Sequence, residues 1–181
     1  GSDNIDVYGA FTTLYGGGAA YNGGTANVGG DTHIRLHGGA SIQKKMYGGG
    51  YAYNFHAGDG YSGTTSWANV AGTCHIDIGT DVAQDPGFYD GDFIVGGGYA
   101  TIGANGTEAV AESSAIANVG GVEIEINGNV SNNTENTNTD RCIVGGGDTD
   151  GRQNENPSAA EGMDICRADV KGGVAIKIAD G

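Results

Sequence analysis

Leu14-Tyr15-Gly16-Gly17-Gly18 is the first copy of a motif, an apolar pair followed by three glycines, that occurs four times along the chain. The other copies are Met46-Tyr47-Gly48-Gly49-Gly50, Ile94-Val95-Gly96-Gly97-Gly98 and Ile143-Val144-Gly145-Gly146-Gly147. Their first glycines are 32 (48−16), 48 (96−48) and 49 (145−96) residues apart. A short strand that recurs before a glycine turn, with connecting segments of variable length, is typical of proteins built from stacked repeats.

Two further short strands recur between the glycine triplets. The first is represented by Ala26-Asn27-Val28, Ala68-Asn69-Val70, Ala117-Asn118-Val119 and Ala168-Asp169-Val170. The second is represented by Ile5-Asp6-Val7, Ile34-Arg35-Leu36, Ile76-Asp77-Ile78, Ile124-Glu125-Ile126 and Ile176-Lys177-Ile178. Alternation of apolar and polar residues, with β-branched residues at the apolar positions, indicates a strand with one buried face. Each pass of the chain is therefore predicted to contain three short strands.

These repeats predict an all-β fold. A unit this small cannot bury its apolar face alone, so equivalent strands need to stack in parallel, about 4.8 Å apart. We expect a right-handed parallel β-helix, a solenoid of about four turns with three short strands per turn and long loops, forming one domain over residues 1–181. Equivalent isoleucines, valines and asparagines should then form columns. Glycine suits the corners because it adopts positive φ without steric cost.

Composition and charge exclude several classes of protein. The chain of 181 residues has 37 glycines but only two prolines and no Gly-X-Y period, which excludes collagen. A hydrophobic content of 38%, including nine tyrosines, is too high for a disordered polyelectrolyte. The net charge of −14 disfavours binding to nucleic acid and to anionic membranes. We expect no membrane insertion, because no apolar run approaches the roughly 20 residues of a membrane span.

The repeats resemble those of a known class. The triplets, Ala117-Asn118-Val119-Gly120-Gly121 and Ile124-Glu125-Ile126-Asn127-Gly128 are similar to the glycine-rich parallel β-helix repeats of large bacterial surface proteins and adhesins. The similarity extends over essentially the whole chain. It implies an extracellular module on a bacterial cell surface, part of a longer repeat protein. Such a module acts without catalysis as a stiff spacer whose loops bind a glycan or a host surface protein.

Two alternative functions remain open. Many related β-helices are pectate-lyase-like enzymes, so a polysaccharide-active enzyme fragment is the first alternative. The eight basic residues are scattered over different passes, however, and Asp77 and Glu125 should lie on an open face. The sequence therefore favours a non-catalytic protein. The second alternative is a self-assembling fibre unit, because both ends of such a coil expose unpaired strand edges that can template end-to-end association.

Aromatic residues mark one candidate binding site. Residues 51–67 are predicted to form a loop between two strands, and this loop contains Tyr51, Tyr53, Phe55, His56, Tyr61 and Trp67. Exposed aromatic rings stack on the faces of sugars and serve as binding hot spots. The alternative interpretation is that these rings fold over a glycine-rich wall and fill the gaps that glycines leave.

Acidic turns mark candidate metal sites. Asp148 and Asp150, with Asn154 and Glu161 further on, resemble the opening of a calcium loop, although the EF-hand spacing is not kept. Asp90 and Asp92 form a second acidic turn. We expect no obligatory cofactor, and calcium is the candidate ion; plain solvated acidic turns are the alternative.

Histidines suggest a different ion. His33 and His75 should stack outward near Asp77 and Glu123, and two histidines with a carboxylate can hold a transition metal. Accidental stacking of surface histidines is the alternative.

The three cysteines allow one intrachain disulfide. Cys142 precedes the last glycine triplet and Cys166 precedes Ala168-Asp169-Val170, 24 residues later (166−142). A bridge between them would stabilise the protein by ~2–4 kcal/mol on loop-entropy grounds. The alternative is that Cys142 and Cys166 are both free thiols. Cys74 is expected to be a small buried hydrophobic residue.

Overall fold

A computed structural model of the chain describes residues 1–56, 64–79, 83–84, 93–104, 113–127, 142–151 and 165–179. Within these ranges all regular secondary structure is β-strand, and no helix long and apolar enough to cross a membrane occurs. The strands are β1 (Asp3–Val7), β2 (Ala10–Tyr15), β3 (Ala19–Tyr21), β4 (Thr32–Leu36), β5 (Ser41–Tyr47), β6 (Tyr51–His56), β7 (Thr65–Trp67), β8 (Val70–Ile78), β9 (Ala83–Gln84), β10 (Phe93–Val95), β11 (Tyr99–Ala104), β12 (Ser114–Ile116), β13 (Val119–Ile126), β14 (Cys142–Val144), β15 (Asp148–Gly151), β16 (Ile165–Arg167) and β17 (Val174–Ile178).

The strands pair into four parallel sheets. Sheet I has the order β1-β4-β8-β13-β17, and sheet II has the order β2-β5-β10-β14 with β9 beside β5. Sheet III has the order β3-β6-β11-β15, and sheet IV has the order β7-β12-β16. After β1, each pass of the chain visits sheets II, III, IV and I in that order. In the first pass sheet IV is represented only by Thr25, which forms an isolated bridge to Trp67.

The register confirms the predicted columns. In sheet I, Ile34 pairs with Ile76, Ile76 with Ile124, and Ile124 with Ile176. Val28, Val70, Val119 and Val170 are likewise partners in succession. Each apolar residue therefore packs against its equivalents one strand above and one strand below.

The expected three strands per pass are not what the structure contains. Residues 51–67, predicted as a loop, begin with β6 and end with β7, so two strands lie between the glycine triplet and sheet I. Ala68 and Asn69 lie between strands, and only Val70 belongs to β8. The strands of sheet III are not recognised from a hydrophobic pattern in the sequence. Their core-facing residues are mainly alanines, and alanine is not enriched in strands.

The core is divided into two parts. Sheets I and II enclose large aliphatic side chains, including Ile34, Met46 and Ile76. Sheets III and IV enclose a cluster composed mainly of alanines, among them Ala52, Ala100 and Ala115. Complete burial of one isoleucine contributes about 1.5–3 kcal/mol, so sheets I and II supply most of the hydrophobic stabilisation.

The glycine triplets lie where the two parts of the core are separated by a narrow region of backbone. We call this region the waist; on one side it consists of the triplets, and on the other side of the facing Ala-Asn and Ala-Asp corners. A Cβ on the last glycine of each triplet would lie within 3.0 Å of the carbonyl oxygen of the alanine in the facing Ala-Asn or Ala-Asp corner. The facing pairs are Gly18 with Ala26, Gly50 with Ala68, Gly98 with Ala117 and Gly147 with Ala168. Positive φ among the described glycines occurs at Gly23 and Gly39, outside the triplets. Close backbone approach, and not the expected positive φ, is therefore the reason for glycine here.

On the side of the waist opposite the triplets, the Ala-Asn and Ala-Asp corners of successive passes are joined by a column of side-chain hydrogen bonds. The side-chain oxygen of Asn27 accepts the backbone N–H of Asn69, and that of Asn69 accepts the N–H of Asn118, each at 2.9 Å. Asn118 accepts the N–H of Asp169 at the same distance. Each side chain thus supplies an acceptor for the corner of the next pass.

Replacing Asn69 with alanine should cost about 1–3 kcal/mol, because the N–H of Asn118 loses its acceptor in a part-buried corner. Asn27→Ala is the matched control, since the equivalent bond at the first corner is exposed to water, and it should cost clearly less. Urea denaturation of both variants measures the difference. Equal losses would show that the column contributes nothing beyond local solvation.

Candidate functional site

The outward faces of sheets II and III meet beside the glycine triplets. Met46 of β5 lies in the core, so Tyr47, the next residue, points to the opposite face. In β6, Ala52 lies in the alanine core, and its neighbours Tyr51 and Tyr53 therefore point outward. Only the triplet separates Tyr47 from Tyr51, so both sheets direct tyrosines to the same corner.

Six tyrosines form the tyrosine cluster at this corner: Tyr15, Tyr21, Tyr47, Tyr51, Tyr53 and Tyr99. Tyr15 stacks on Tyr47 with ring centroids 5.1 Å apart, and Tyr47 stacks on Tyr99 at the same distance. Tyr51 stacks on Tyr15 at 5.0 Å and on Tyr99 at 5.4 Å. Rings from sheets II and III are thus in mutual contact. The two outward faces therefore approach each other at this corner.

The cluster has a buried floor and an exposed rim. Tyr47 is only 1% exposed, although it lies on the face opposite the core. Its hydroxyl donates a 3.0 Å hydrogen bond to Oδ2 of Asp148, and Nζ of Lys45 lies 3.7 Å from the same oxygen. Tyr21, which contacts Tyr51 edge-on, is 55% exposed. The cluster therefore has a packed interior at Tyr47 and exposed aromatic surface at Tyr21.

Burial controls the ionisation of three tyrosines in the cluster. Burial, reinforced by the neighbouring Tyr99, raises the pKa of Tyr15 to about 12. The pKa of Tyr47 is raised further, first by burial and then by the negative charge of Asp148. Burial also raises the pKa of Tyr51, with Tyr15 as the next contribution. The corner is a poor environment for a tyrosinate.

Alkaline titration should therefore destabilise the protein. An unfolded tyrosine ionises near pH 10, whereas these three keep their protons to higher pH when folded. Above about pH 10 the folded state holds more protons, so the free energy of unfolding falls as pH rises from about 10 through the folded pKa values. Tyr47→Phe should make this fall shallower than in the unmodified chain. Denaturation at stepped pH measures the slope; identical slopes would contradict the assignment.

The structure brings together some of the predicted aromatic residues. Tyr51 and Tyr53 belong to the tyrosine cluster, but as strand residues and not as loop residues. Trp67 is half-exposed in β7 of sheet IV, and the ring contacts of the cluster do not include it. The backbones of Phe55 and His56 end β6, while their side chains and Tyr61 lie outside the described part of the chain.

The predicted acidic turn is partly a strand. Asp148 and Asp150 lie in β15, where they pair with Tyr99 and Thr101. The Asp148 carboxylate contacts Tyr47 and Lys45, as described above, instead of opening a turn. Asn154, Glu161, Asp90 and Asp92 fall outside the described ranges. Calcium binding stays a prediction, which a thermal melt before and after chelation would test.

The cysteines are placed in three different sheets. Cys142 begins β14 of sheet II, and Cys166 lies in β16 of sheet IV. The side chain of Cys142 is not among the described atoms, so the disulfide stays a prediction. Cys74 is completely buried in the aliphatic core, as expected. Burial raises the pKa of its thiol to about 11.

Four members of the cluster were not singled out from the sequence: Tyr15, Tyr21, Tyr47 and Tyr99. The signal was nevertheless present, because a tyrosine directly precedes the first two triplets and directly follows the second and third. Lys45 was missed as well, since its contact with Asp148 joins residues far apart in the sequence.

Comparison of the chain with protein-family models, with curated proteins and with solved structures found no match.

Proposed function

We propose that the chain is a right-handed parallel β-helix of about four turns that serves as a non-catalytic binding module on a bacterial cell surface. The in-register parallel sheets support the coil. The similarity of the repeats to those of bacterial surface proteins supports the extracellular location. In this proposal the coil is a stiff spacer, and the tyrosine cluster is the surface that binds a glycan.

The observation that carries the proposal is the assembly of six tyrosines on one outward corner, with Tyr21 mostly exposed. Tyrosine suits sugar binding because its ring is rigid and apolar while its hydroxyl forms hydrogen bonds. Contact with Tyr51 and Tyr53 fixes Tyr21 before binding, which lowers the entropic cost. Because the net charge is −14, neutral glycans should be preferred to acidic ones.

A glycan array followed by calorimetry with the best oligosaccharide tests the proposal. Replacing Tyr21 and Tyr53 together with alanine should weaken binding by at least about tenfold, equivalent to ~1.4 kcal/mol. The matched control is Tyr8→Ala, since Tyr8 is also exposed but stacks on His37 away from the cluster.

Folding of each variant is checked by circular dichroism. Absence of binding to any oligosaccharide would refute the glycan proposal. So would a double variant that binds as tightly as the unmodified chain.

A second candidate function is end-to-end self-assembly, which the exposure of β17 favours. Val174, Ile176 and Ile178 continue the core columns of sheet I, yet all three are exposed. Within the described residues β1 is the other edge strand of sheet I, so β1 of a second copy could extend the sheet at β17 in a head-to-tail arrangement. Light scattering should then show assembly that grows with concentration and is abolished by Ile178→Lys. A strict monomer at high concentration would rule this out.

A further inference from the structure

We propose that Asp31, His33 and His75 form a site for a zinc-type divalent transition-metal ion on the outward face of sheet I. The two histidines are direct partners in the parallel pairing of β4 with β8. Their rings stack with centroids 4.4 Å apart and planes inclined by 4°. Asp31 immediately precedes β4. One potential ligand atom from each residue lies within 4.8 Å of the other two.

Hydrogen bonds hold two of these side chains in place. The backbone N–H of Thr73 donates to Oδ1 of Asp31 at 2.8 Å, which leaves Oδ2 for an ion. Nδ1 of His75 lies 3.2 Å from Oε2 of Glu123, whose other oxygen accepts a 2.7 Å hydrogen bond from Lys177. With Nδ1 donating to Glu123, the lone pair of His75 lies on Nε2, the atom that we assign as the ligand. A carboxylate behind a metal-binding histidine is the usual arrangement in metalloproteins.

The donor set selects the ion. Two imidazole nitrogens and one carboxylate oxygen suit Zn²⁺, with water in the fourth position, whereas calcium requires six to eight oxygens. Metal–ligand distances of about 2.0–2.1 Å place tetrahedral ligands about 3.4 Å apart. Because the lone pairs of the two stacked rings lie in nearly parallel planes, closing the site also requires the imidazoles to rotate out of the stack until both nitrogens face the ion. All three side chains are half-buried and so remain accessible to an ion from solution.

The ligands come from two successive passes, since Asp31 and His33 lie one strand level away from His75. Only the folded chain brings them together, so a bound ion stabilises the stack. At a free Zn²⁺ concentration about 100-fold above the dissociation constant, the melting temperature should rise by roughly 5–10 °C.

Calorimetric titration with Zn²⁺, after removal of metals with a chelator, tests the proposal on the whole chain. We expect saturable binding that is weakened at least tenfold in each of Asp31→Asn, His33→Gln and His75→Gln. Asp31→Asn keeps an acceptor for Thr73, so it separates loss of a ligand from loss of structure. The matched control is His37→Gln. His37 directly follows β4 of sheet I, but its ring is hydrogen-bonded to Asp6 and stacks on Tyr8.

Thermal melts supply an independent readout. The Zn²⁺-dependent rise should persist in His37→Gln and disappear in His33→Gln, and calcium at the same concentration should not reproduce it. Three outcomes would overturn the proposal: no saturable Zn²⁺ binding, wild-type affinity in the His33 and His75 variants, or an equal shift with calcium.

Discussion

Gly50→Ala should destabilise the protein by at least about 3 kcal/mol, near the upper end of the usual cost of overpacking. A Cβ at Gly50 would lie within 3.0 Å of the Ala68 carbonyl oxygen and 2.8 Å from that of Gly18. These atoms belong to the backbone of the facing corner and of the preceding pass, so neither can rotate away. Relief requires the waist to widen, which separates the corner from the triplet.

The measurement is urea denaturation of Gly50→Ala against Gly9→Ala as the matched control. A Cβ at Gly9 would have no atom within 4 Å, and the φ angle of Gly9 is not positive. Its replacement should therefore change the free energy of unfolding by less than about 1 kcal/mol. If Gly50→Ala were as mild as the control, glycine at the waist would be a matter of composition and not of close packing.

Ile76→Ala should be comparably severe, with a loss of about 2–5 kcal/mol. Ile76 is 0% exposed and lies between Ile34 and Ile124 in the middle of its column. The strands above and below are fixed by their own hydrogen bonds and cannot collapse into the cavity. The volume of the removed side-chain carbons therefore stays largely unfilled. The free-energy cost of this cavity adds to the hydrophobic transfer free energy that the substitution loses.

The control for Ile76 lies in the same column. Ile176 also pairs with Ile124, but it ends the column among the described residues and is 42% exposed. Ile176→Ala should therefore cost less than about 1.5 kcal/mol. Both variants are measured by denaturation at low protein concentration, so that association does not contribute. Similar losses at the two positions would argue that the columns do not pack as the register implies.

Sheets I and II could be predicted from the sequence because most of their buried positions hold large aliphatic residues. Ile34, Ile76 and Ile124 alternate with polar residues, and this pattern fixes both the strand and its register. Sheets III and IV could not be predicted in this way. Their inner residues are mainly alanines such as Ala52 and Ala100, and Ile102 is the one large aliphatic side chain in the described part of this cluster. Because alanine is small and only weakly hydrophobic, those strands show no alternation of large apolar and polar residues in the sequence.

The candidate sites were predictable to different degrees. The stacking of His33 on His75 follows from the repeat register and was expected. The contribution of Asp31 could not be seen, because Asp31 lies before the strand and reaches the histidines through its bond to Thr73. The tyrosine cluster depends on two sheets meeting at a concave corner. Four of its members adjoin the triplets in the sequence, but the sequence does not show that the two strands before and after a triplet turn their outward faces toward each other.

The most direct test of the stacked passes is solution NMR of the backbone. We expect interstrand cross-peaks of the parallel type that link Ile34 to Ile76, Ile76 to Ile124 and Ile124 to Ile176, at sequence separations of 42 (76−34), 48 (124−76) and 52 (176−124). Cross-peaks of the antiparallel type, or parallel ones displaced from these pairs, would contradict the register on which the waist, the tyrosine cluster and the proposed metal site all depend.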